Sequence, residues 1–372
     1  MTLLFICGSL EQGKDGVGDY TRRLAGELIR QGKNVALLAV FDKGVEKAST
    51  EKQYDQLTPI PTYRLPHSIL LKQKKQLAKL YIEQFNPEWL SLQYVPFSFD
   101  DKGLPFRWSH VFRELGKDRK WQILFHELWV GRQGKNNLKT SILKSLQQNV
   151  ITRLIKNCRP ELVHTQSKTN EMALHQLNIS ASVLPLFSNI PLCKSEVEKE
   201  EEYLTLASFG ILRECKQVRA LLKEFKLFAQ EKKRKARLLI LGKSGALKKE
   251  WIRICEQNSI AVKVVNHLTP EEVSRRLQLA DIGITTLSMN LVDKSGSVAA
   301  LLSHSLPVLC LTPLQSAFGI TANPAIAEYK QGRLAAILAE LPQNVQGYSL
   351  SDIALKFQED LLQTQAKQTT LP

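Results

Sequence analysis

No stretch of the 372-residue sequence keeps apolar side chains for the roughly 20 consecutive positions that a membrane-spanning helix needs. The apolar opening, Met1 to Leu10, has neither a basic start nor a small-residue cleavage site, so it reads as a first strand and not as a signal peptide. Six cysteines (Cys7, Cys158, Cys193, Cys215, Cys255 and Cys310) stand apart with no C-x-x-C pair. That argues against structural zinc and against a disulfide framework, and it fits a reducing cytoplasm. Acidic residues are scarce: 36 Asp and Glu face 51 Lys and Arg, a formal charge of +15. Such a balance favours anionic partners, whether nucleotide phosphates, acidic lipid head groups or nucleic acid. Nucleic acid is the weakest of the three, because the densest basic run, EKKRKAR, has no aromatic residue interleaved with it and reads as a solvated helix end.

With 43% hydrophobic residues the chain is an ordered one, long enough for two domains. Short apolar strands alternate with longer amphipathic segments, the pattern of an α/β protein. The first half opens with a strand from Leu3 to Cys7, a loop GSLEQGKDGVGDY, a helix TRRLAGELIRQG and a second strand from Asn34 to Val40. Gly16 and Gly18 in that loop would let backbone approach a ligand where a Cβ would collide. The loop is not the G-x-G-x-x-G fingerprint of dinucleotide binding: its third glycine is missing, and only Asp42 stands near the end of the second strand. A nicotinamide cofactor therefore has little support.

The segment SILLKQKKQLAKLYIEQF carries Lys72, Lys74, Lys75 and Lys79. It reads as a solvated outer helix of the domain, with peripheral contact to the anionic inner face of a membrane as the second reading. Strands at Trp89 to Val95 and at Gln122 to Phe125 follow, and His126 and Glu127 sit directly beyond the latter. Polar groups at that place point into the crevice where open α/β sheets bind ligands. The polar stretch CKSEVEKEEE reads as a linker. The expected organisation is a domain at 1–190, a linker at 191–203, a second domain at 204–345, and a C-terminal helix or tail at 346–372 packing back on the first domain.

The second half centres on ADIGITTLSMNLVDKSGSVAALLSHSLPV, from Ala280 to Val308. A buried strand leads into Lys294-Ser295-Gly296-Ser297 and then straight into a helix. That order presents backbone N–H groups and the positive end of a helix dipole to an anion such as a diphosphate. The plainer reading makes Ser295 or Ser297 an N-cap and Gly296 a turn residue.

In their order along the chain these segments resemble the GT-B fold, two Rossmann-like doubly wound α/β domains facing each other across a cleft. The nearest likeness is to the retaining glycosyltransferases of family four. It is carried by DGVGDYTRRLAGELIRQGKNV, where Asp15 replaces the first glycine of a G-G-V-G loop, by LQYVPFSFDDKGLPF, LFHELW and PLFSNIP, and by SFGILRECKQVRALLKEF, ADIGITT and SLPV. The resemblance implies sugar transfer from a nucleotide-diphosphate sugar to a polysaccharide, a lipid-linked sugar or a small molecule, with retention of configuration. It implies no metal and no other cofactor, and no D-x-D motif sits at a strand end here to hold one. A catalytically silent nucleotide or sugar binder and a sugar-nucleotide epimerase of the same fold are the alternatives.

Residue by residue, the resemblance lays Gly16, Val17 and Gly18 over the donor phosphates or the acceptor and His126 against the transferred sugar or the acceptor. Asp19, Tyr20, Gln93, Tyr94 and Glu127 fall on the acceptor side. Lys216, six residues after Gly210, matches the diphosphate-binding lysine. Ile211 occupies the place of its companion arginine, and Arg213 would reach the same phosphates from two residues on. Gly242, Asn266 and His267 fall on the donor, the last two flanking the base. The largest departure is the loss of two family glutamates eight positions apart, replaced by Val292 and Ala300, with Asp293 the only acid nearby. Lys294, Ser295, Gly296 and Ser297 would then take over phosphate contacts.

Overall fold

A computed structural model describes residues 1–131, 137–193, 197–242, 245, 247–266, 268–313, 323–342, 345 and 347–369. The chain forms two compact units, Met1–Leu184 with Leu350–Pro372, and Pro185–Ser349.

The first unit runs β1 (Thr2–Cys7), α1 (Gly16–Arg30), β2 (Asn34–Asp42), β3 (Ser49–Asp55), β4 (Thr58–Pro66), α2 (Leu71–Phe85), β5 (Trp89–Tyr94), α3 (Trp108–Leu115), β6 (Lys120–Phe125), α4 (Leu138–Cys158), β7 (Leu162–Thr165), α5 (Lys168–His175) and β8 (Ser182–Val183). Among the described residues its sheet has the order β3-β4-β2-β1-β5-β6-β7-β8, parallel except for the β3–β4 hairpin. Strand order reverses beside β1: β2 lies on one side of it and β5 on the other. Helices cover both faces, so TLLFIC and WLSLQY are buried along their length and their sequences carry little alternation.

The second unit runs β9 (Tyr203–Phe209), α6 (Val218–Glu231), β10 (Lys235–Leu241), α7 (Lys248–Gln257), β11 (Ala261–Val265), α8 (Pro270–Gln278), β12 (Ile282–Ser288), α9 (Gly296–Ser303), β13 (Val308–Thr312), β14 (Ile326–Glu328) and α10 (Leu334–Glu340). Its sheet, β11-β10-β9-β12-β13-β14, is parallel throughout the described pairings. Numbered within the unit this is 3-2-1-4-5-6, the doubly wound Rossmann order, with its switch point between β9 and β12. Helix α8 begins with a complete capping box, Thr269 with Glu272, and Pro270 at its first position.

The last helix, α11 (Leu350–Thr369), belongs to the first unit. Phe357 stacks on Phe5 of β1 at 5.8 Å between ring centroids, and Gln358 donates to Gln31 beyond the end of α1.

Four local expectations change. Helix α1 starts at Gly16 and not at Thr21, because Asp15 caps it by accepting from the Gly18 amide at 2.6 Å. The hairpin β3–β4 has no counterpart in the sequence reading: β3 (STEKQYD) is a mostly exposed edge strand without an apolar run to announce it. Helix α6 ends at Glu231, and Lys235 and Arg237 of the basic run stand on β10. The polar stretch before β9 is fastened to the second unit, through Glu200 to Arg237 at 2.6 Å and Lys199 to the Ala280 carbonyl at 3.2 Å. Its charges are partners of that unit's edge and not those of a free linker.

The lysines of α2 are also engaged within the fold. Lys74 is only 3% exposed, donates to the His67 carbonyl at 2.9 Å and sits 4.3 Å from the centre of the Phe41 ring. Burial lowers its ammonium pKa to about 8. Lys75 pairs with Glu114, and Lys79 with Glu83 at 3.6 Å. Helix α2 is therefore an outer layer of the domain in which Lys74 is turned inward, Lys75 and Lys79 have acidic partners and Lys72 is exposed.

Candidate functional site

Strand ends at a switch point are where open α/β sheets bind ligands, and the two units finish theirs differently. In the first unit the exit of β1 is held by its own chain. The Asp42 carboxylate accepts from the Leu10 amide at 3.0 Å, the Gly44 amide at 2.9 Å, the Ser9 hydroxyl at 3.1 Å and both Nε (2.7 Å) and Nη2 (3.1 Å) of Arg64. Burial alone would raise its pKa, but Arg64 and the two amides outweigh it and hold the carboxyl below its ordinary value. These five donors leave Asp42 no capacity for a ribose hydroxyl. Arg22 donates to the Leu10 carbonyl at 2.7 Å and pairs with Asp19 at 2.6 Å. Across the switch point Ser98, beyond β5, lies directly against Gly8 and fills the space a Cβ would need.

The glycine-containing segment is accordingly not a bare cradle. A Cβ on Gly18 would stand 2.6 Å from the Ser9 carbonyl oxygen, so that glycine is required by packing against its own chain. Gly16 has open space around it, Val17 is half-buried, and the start of α1 is occupied by the Asp15 carboxylate. Asp19 accepts from the Gly13 amide besides Arg22.

Three predicted acceptor-side residues do come together. His126, 6% exposed just past β6, is bonded through Nε2 to Gln93 Oε1 on β5 at 2.9 Å, and the Tyr20 ring of α1 meets its imidazole edge-on at 5.0 Å. Burial pushes the Tyr20 phenol up, with the neighbouring Gln166 side chain opposing. Glu127 is exposed. Tyr94 leaves the set: its side chain alternates away from that of Gln93, its ring packs on Phe99 and Phe125, and it is 2% exposed in the core.

In the second unit the strand exits line up in sheet order. A Cβ on Gly210, after β9, would stand 2.6 Å from Ser297 Oγ at the start of α9, so the two sides of the switch point touch through a glycine. Gly210 has φ +95° and Gly242, after β10, has φ +84°; the Gly210 amide lies 3.9 Å from where a Gly242 Cβ would be. Both conformations favour glycine. Asn266, after β11, accepts from Lys248 at 3.5 Å. His267 lies outside the described residues.

From Gly210 the loop crosses the sheet. The Arg213 amide donates to Thr286 Oγ1 of β12 at 2.9 Å, and the Cys215 thiol to the Leu311 carbonyl of β13 at 3.3 Å. Backbone is thus tied down while the side chains of Arg213 and Lys216 remain exposed. On the other side Ser295 caps α9, accepting from the Val298 amide at 3.3 Å. Gly296 has nothing within 4 Å of a built Cβ, and Lys294 immediately precedes the cap. Of the first-turn N–H groups Val298 is taken by this cap, and those of Gly296 and Ser297 stand at the positive dipole end, where the helix itself supplies no acceptor. His304 anchors the far end of α9, with Nδ1 2.7 Å from the Ala300 carbonyl and Nε2 2.8 Å from Ser274 Oγ of α8. Val292 and Ala300, at the two glutamate positions, are 1% and 0% exposed, packed in that unit's core. Among the described residues no group of three or more His, Cys, Asp or Glu could hold a metal ion.

Sequence reasoning missed Lys248 beside Asn266, and it missed Ser91, Gln122 and His164, polar residues on otherwise apolar strands behind His126. A polar residue recurring at every second place of a buried strand, as in Ser91 and Gln93, is the signal that could have found the latter.

No protein-family model matches the chain, and no curated protein matches it in sequence. Solved structures do match over nearly its whole length. Sucrose-phosphate synthase from Thermosynechococcus elongatus aligns with a TM-score of 0.60 at 14% identity, covering 99% of this chain and 100% of that one. Anabaena HepE, solved with UDP and glucose, aligns with a TM-score of 0.56 at 11% identity, covering 98% and 100%. UDP-GlcNAc 2-epimerase from Methanocaldococcus jannaschii aligns with a TM-score of 0.52 at 9% identity, covering 98% and 100%. The chain has the GT-B fold of these proteins, two Rossmann-like α/β domains.

Proposed function

We propose that this chain is a glycosyltransferase that moves a sugar from a nucleotide-diphosphate sugar to a polysaccharide, lipid-linked sugar or small-molecule acceptor, with retention of configuration and without a divalent metal. The observation that carries it is the close approach of Gly210 to Ser297 at the switch point of the second unit, flanked by Lys294, Arg213 and Lys216. HepE was solved with UDP and glucose, and a nucleoside diphosphate is the proposed ligand here. Breaking the bond from sugar to diphosphate leaves negative charge on the leaving group and positive character on the anomeric carbon. Preorganised cations and amide N–H groups aimed at that charge lower the barrier, each well-placed group being worth roughly a hundredfold in rate. Lys216, Arg213, Lys294 and the first turn of α9 serve this role, and His126, with Tyr20 beside it, meets the sugar or the acceptor.

The test is calorimetry with UDP, ADP and GDP, followed by transfer assays with the donor of the tightest-bound base in the presence of chelator. Lys216→Ala is expected to cut transfer about a hundredfold; transfer at the wild-type rate removes the assignment. The burial of Val292 and Ala300 favours a second reading, a donor-binding protein without transfer. It predicts binding with neither transfer nor donor hydrolysis, whereas an epimerase would convert donor with no acceptor present.

A further inference from the structure

A chain of buried polar side chains runs from His126 across the sheet of the first unit to the C-terminal helix. His126 Nε2 lies 2.9 Å from Gln93 Oε1. Gln93 Nε2 donates to Ser91 Oγ at 2.8 Å, and Ser91 Oγ donates to Gln122 Oε1 at 2.5 Å. Gln122 Nε2 lies 3.2 Å from His164 Nδ1, and His164 Nε2 lies 3.0 Å from Asp360 Oδ2 on α11. Ser91, Gln93, Gln122 and His164 are each 0% exposed, so bulk water does not reach the links among them. Strand register makes the path: Ser91 pairs with Gln122 across β5 and β6, and Leu124 with His164 across β6 and β7.

Such a chain has a direction. Each hydroxyl or amide that accepts at one atom donates at the next, and an ionised carboxylate at the end can only accept. Asp360 is held ionised: burial opposes it, but His164 and Lys356, the latter at 2.9 Å, outweigh burial and lower its pKa. Burial, opposed by Asp360, lowers that of His164 and keeps its imidazole neutral. His164 must then carry its proton on Nε2 and accept on Nδ1, Gln122 must donate to it, and the order propagates back to Gln93, whose oxygen faces His126.

We propose that Asp360 is a positioning residue that, through this relay, fixes His126 as the Nε2–H tautomer with Nδ1 as the acceptor atom. The proposal deepens the reading of His126 as the residue that meets sugar or acceptor, and rests on that reading for its functional meaning alone. Ground-state tautomers need no ligand, so they can be read directly.

The experiment is 15N NMR of the ring nitrogens of the seven histidines in the full-length chain, with His126 and His164 assigned by loss of signal in His126→Gln and His164→Gln. Wild type is expected to show both as single Nε2–H tautomers. Ser91→Ala, which cuts the relay midway, should leave His164 unchanged and turn His126 into a mixture of tautomers. Asp360→Asn, whose amide can donate as well as accept, should turn both into mixtures, and Asp360→Glu should restore the wild-type pattern. An Nδ1–H tautomer at His126 in wild type, or an unaltered His126 in both Ser91→Ala and Asp360→Asn, overturns the proposal. Because no donor is present, either result leaves the transfer reading to stand or fall by its own assay.

Discussion

The two switch points of this chain are built on one plan and finished oppositely. Beside β1 the chain closes on itself: Ser98 fills the place of a Gly8 side chain, Asp42 gathers the loop, and the Asp15 carboxylate caps α1. Beside β9 Ser297 fills the place of a Gly210 side chain in the same way. There the capping group is the neutral hydroxyl of Ser295, and the adjoining segments carry Asp293 and Glu214 besides Lys294, Arg213 and Lys216. The start of α1 holds a carboxylate, which competes with an incoming anion for the same N–H groups, whereas the cap of α9 is neutral. Like folds therefore carry unlike helix starts, and the charge of the capping group is what separates them.

The comparison can be broken most sharply at Asp42. Asp42→Ala leaves Arg64, only 11% exposed, without its main partner, and should destabilise the protein by about 3–5 kcal/mol, read from the denaturant midpoint. The same carboxylate gives a pH signature. Its folded pKa is lowered, so its contribution is present above the unfolded value of about 4 and is lost as pH falls through the folded value. Stability of wild type should drop in that acid window and that of Asp42→Ala should drop less.

A paired test sharpens the contrast. Gly18→Ala pushes a methyl to 2.6 Å from a backbone oxygen and should cost about 1–3 kcal/mol of stability with the affinity for nucleoside diphosphate unchanged. Gly210→Ala, at φ +95° beside Ser297, should cost about 1–2 kcal/mol and also weaken that affinity in calorimetry. Equal effects of the two on affinity would erase the distinction between the switch points. The smallest effect is expected for Asp15→Asn. An asparagine caps as well as an aspartate, so stability should change by less than about 0.5 kcal/mol.

Much of the fold was legible because parallel strands buried on both faces read as short apolar runs, as in Leu3 to Cys7 and Ile282 to Leu287, with amphipathic helices between them. The hairpin β3–β4 was not, since its edge strand is exposed and polar. In the candidate site, Lys294 to Ser297 stood out because strand, loop and helix are contiguous there. Tyr94 was misplaced because its neighbour Gln93 and its own ring point to opposite faces of β5, a difference that a polar-looking strand end does not reveal. Lys74 was grouped with a solvated stripe because the sequence does not show that the Phe41 ring and the His67 carbonyl receive its ammonium group.

The sequence by itself determined the alternation of strands and helices, the excess of positive charge and the presence of a Ser-Gly-Ser helix start, since each follows from local periodicity and composition. Only the tertiary structure decided which glycines make room for a neighbour, because that depends on what the fold places within 3 Å: Ser98 against Gly8, Ser9 against Gly18 and Ser297 against Gly210. It alone joined Asp360 to His126, residues more than 200 positions apart, since buried polar groups must satisfy one another wherever the sheet brings them.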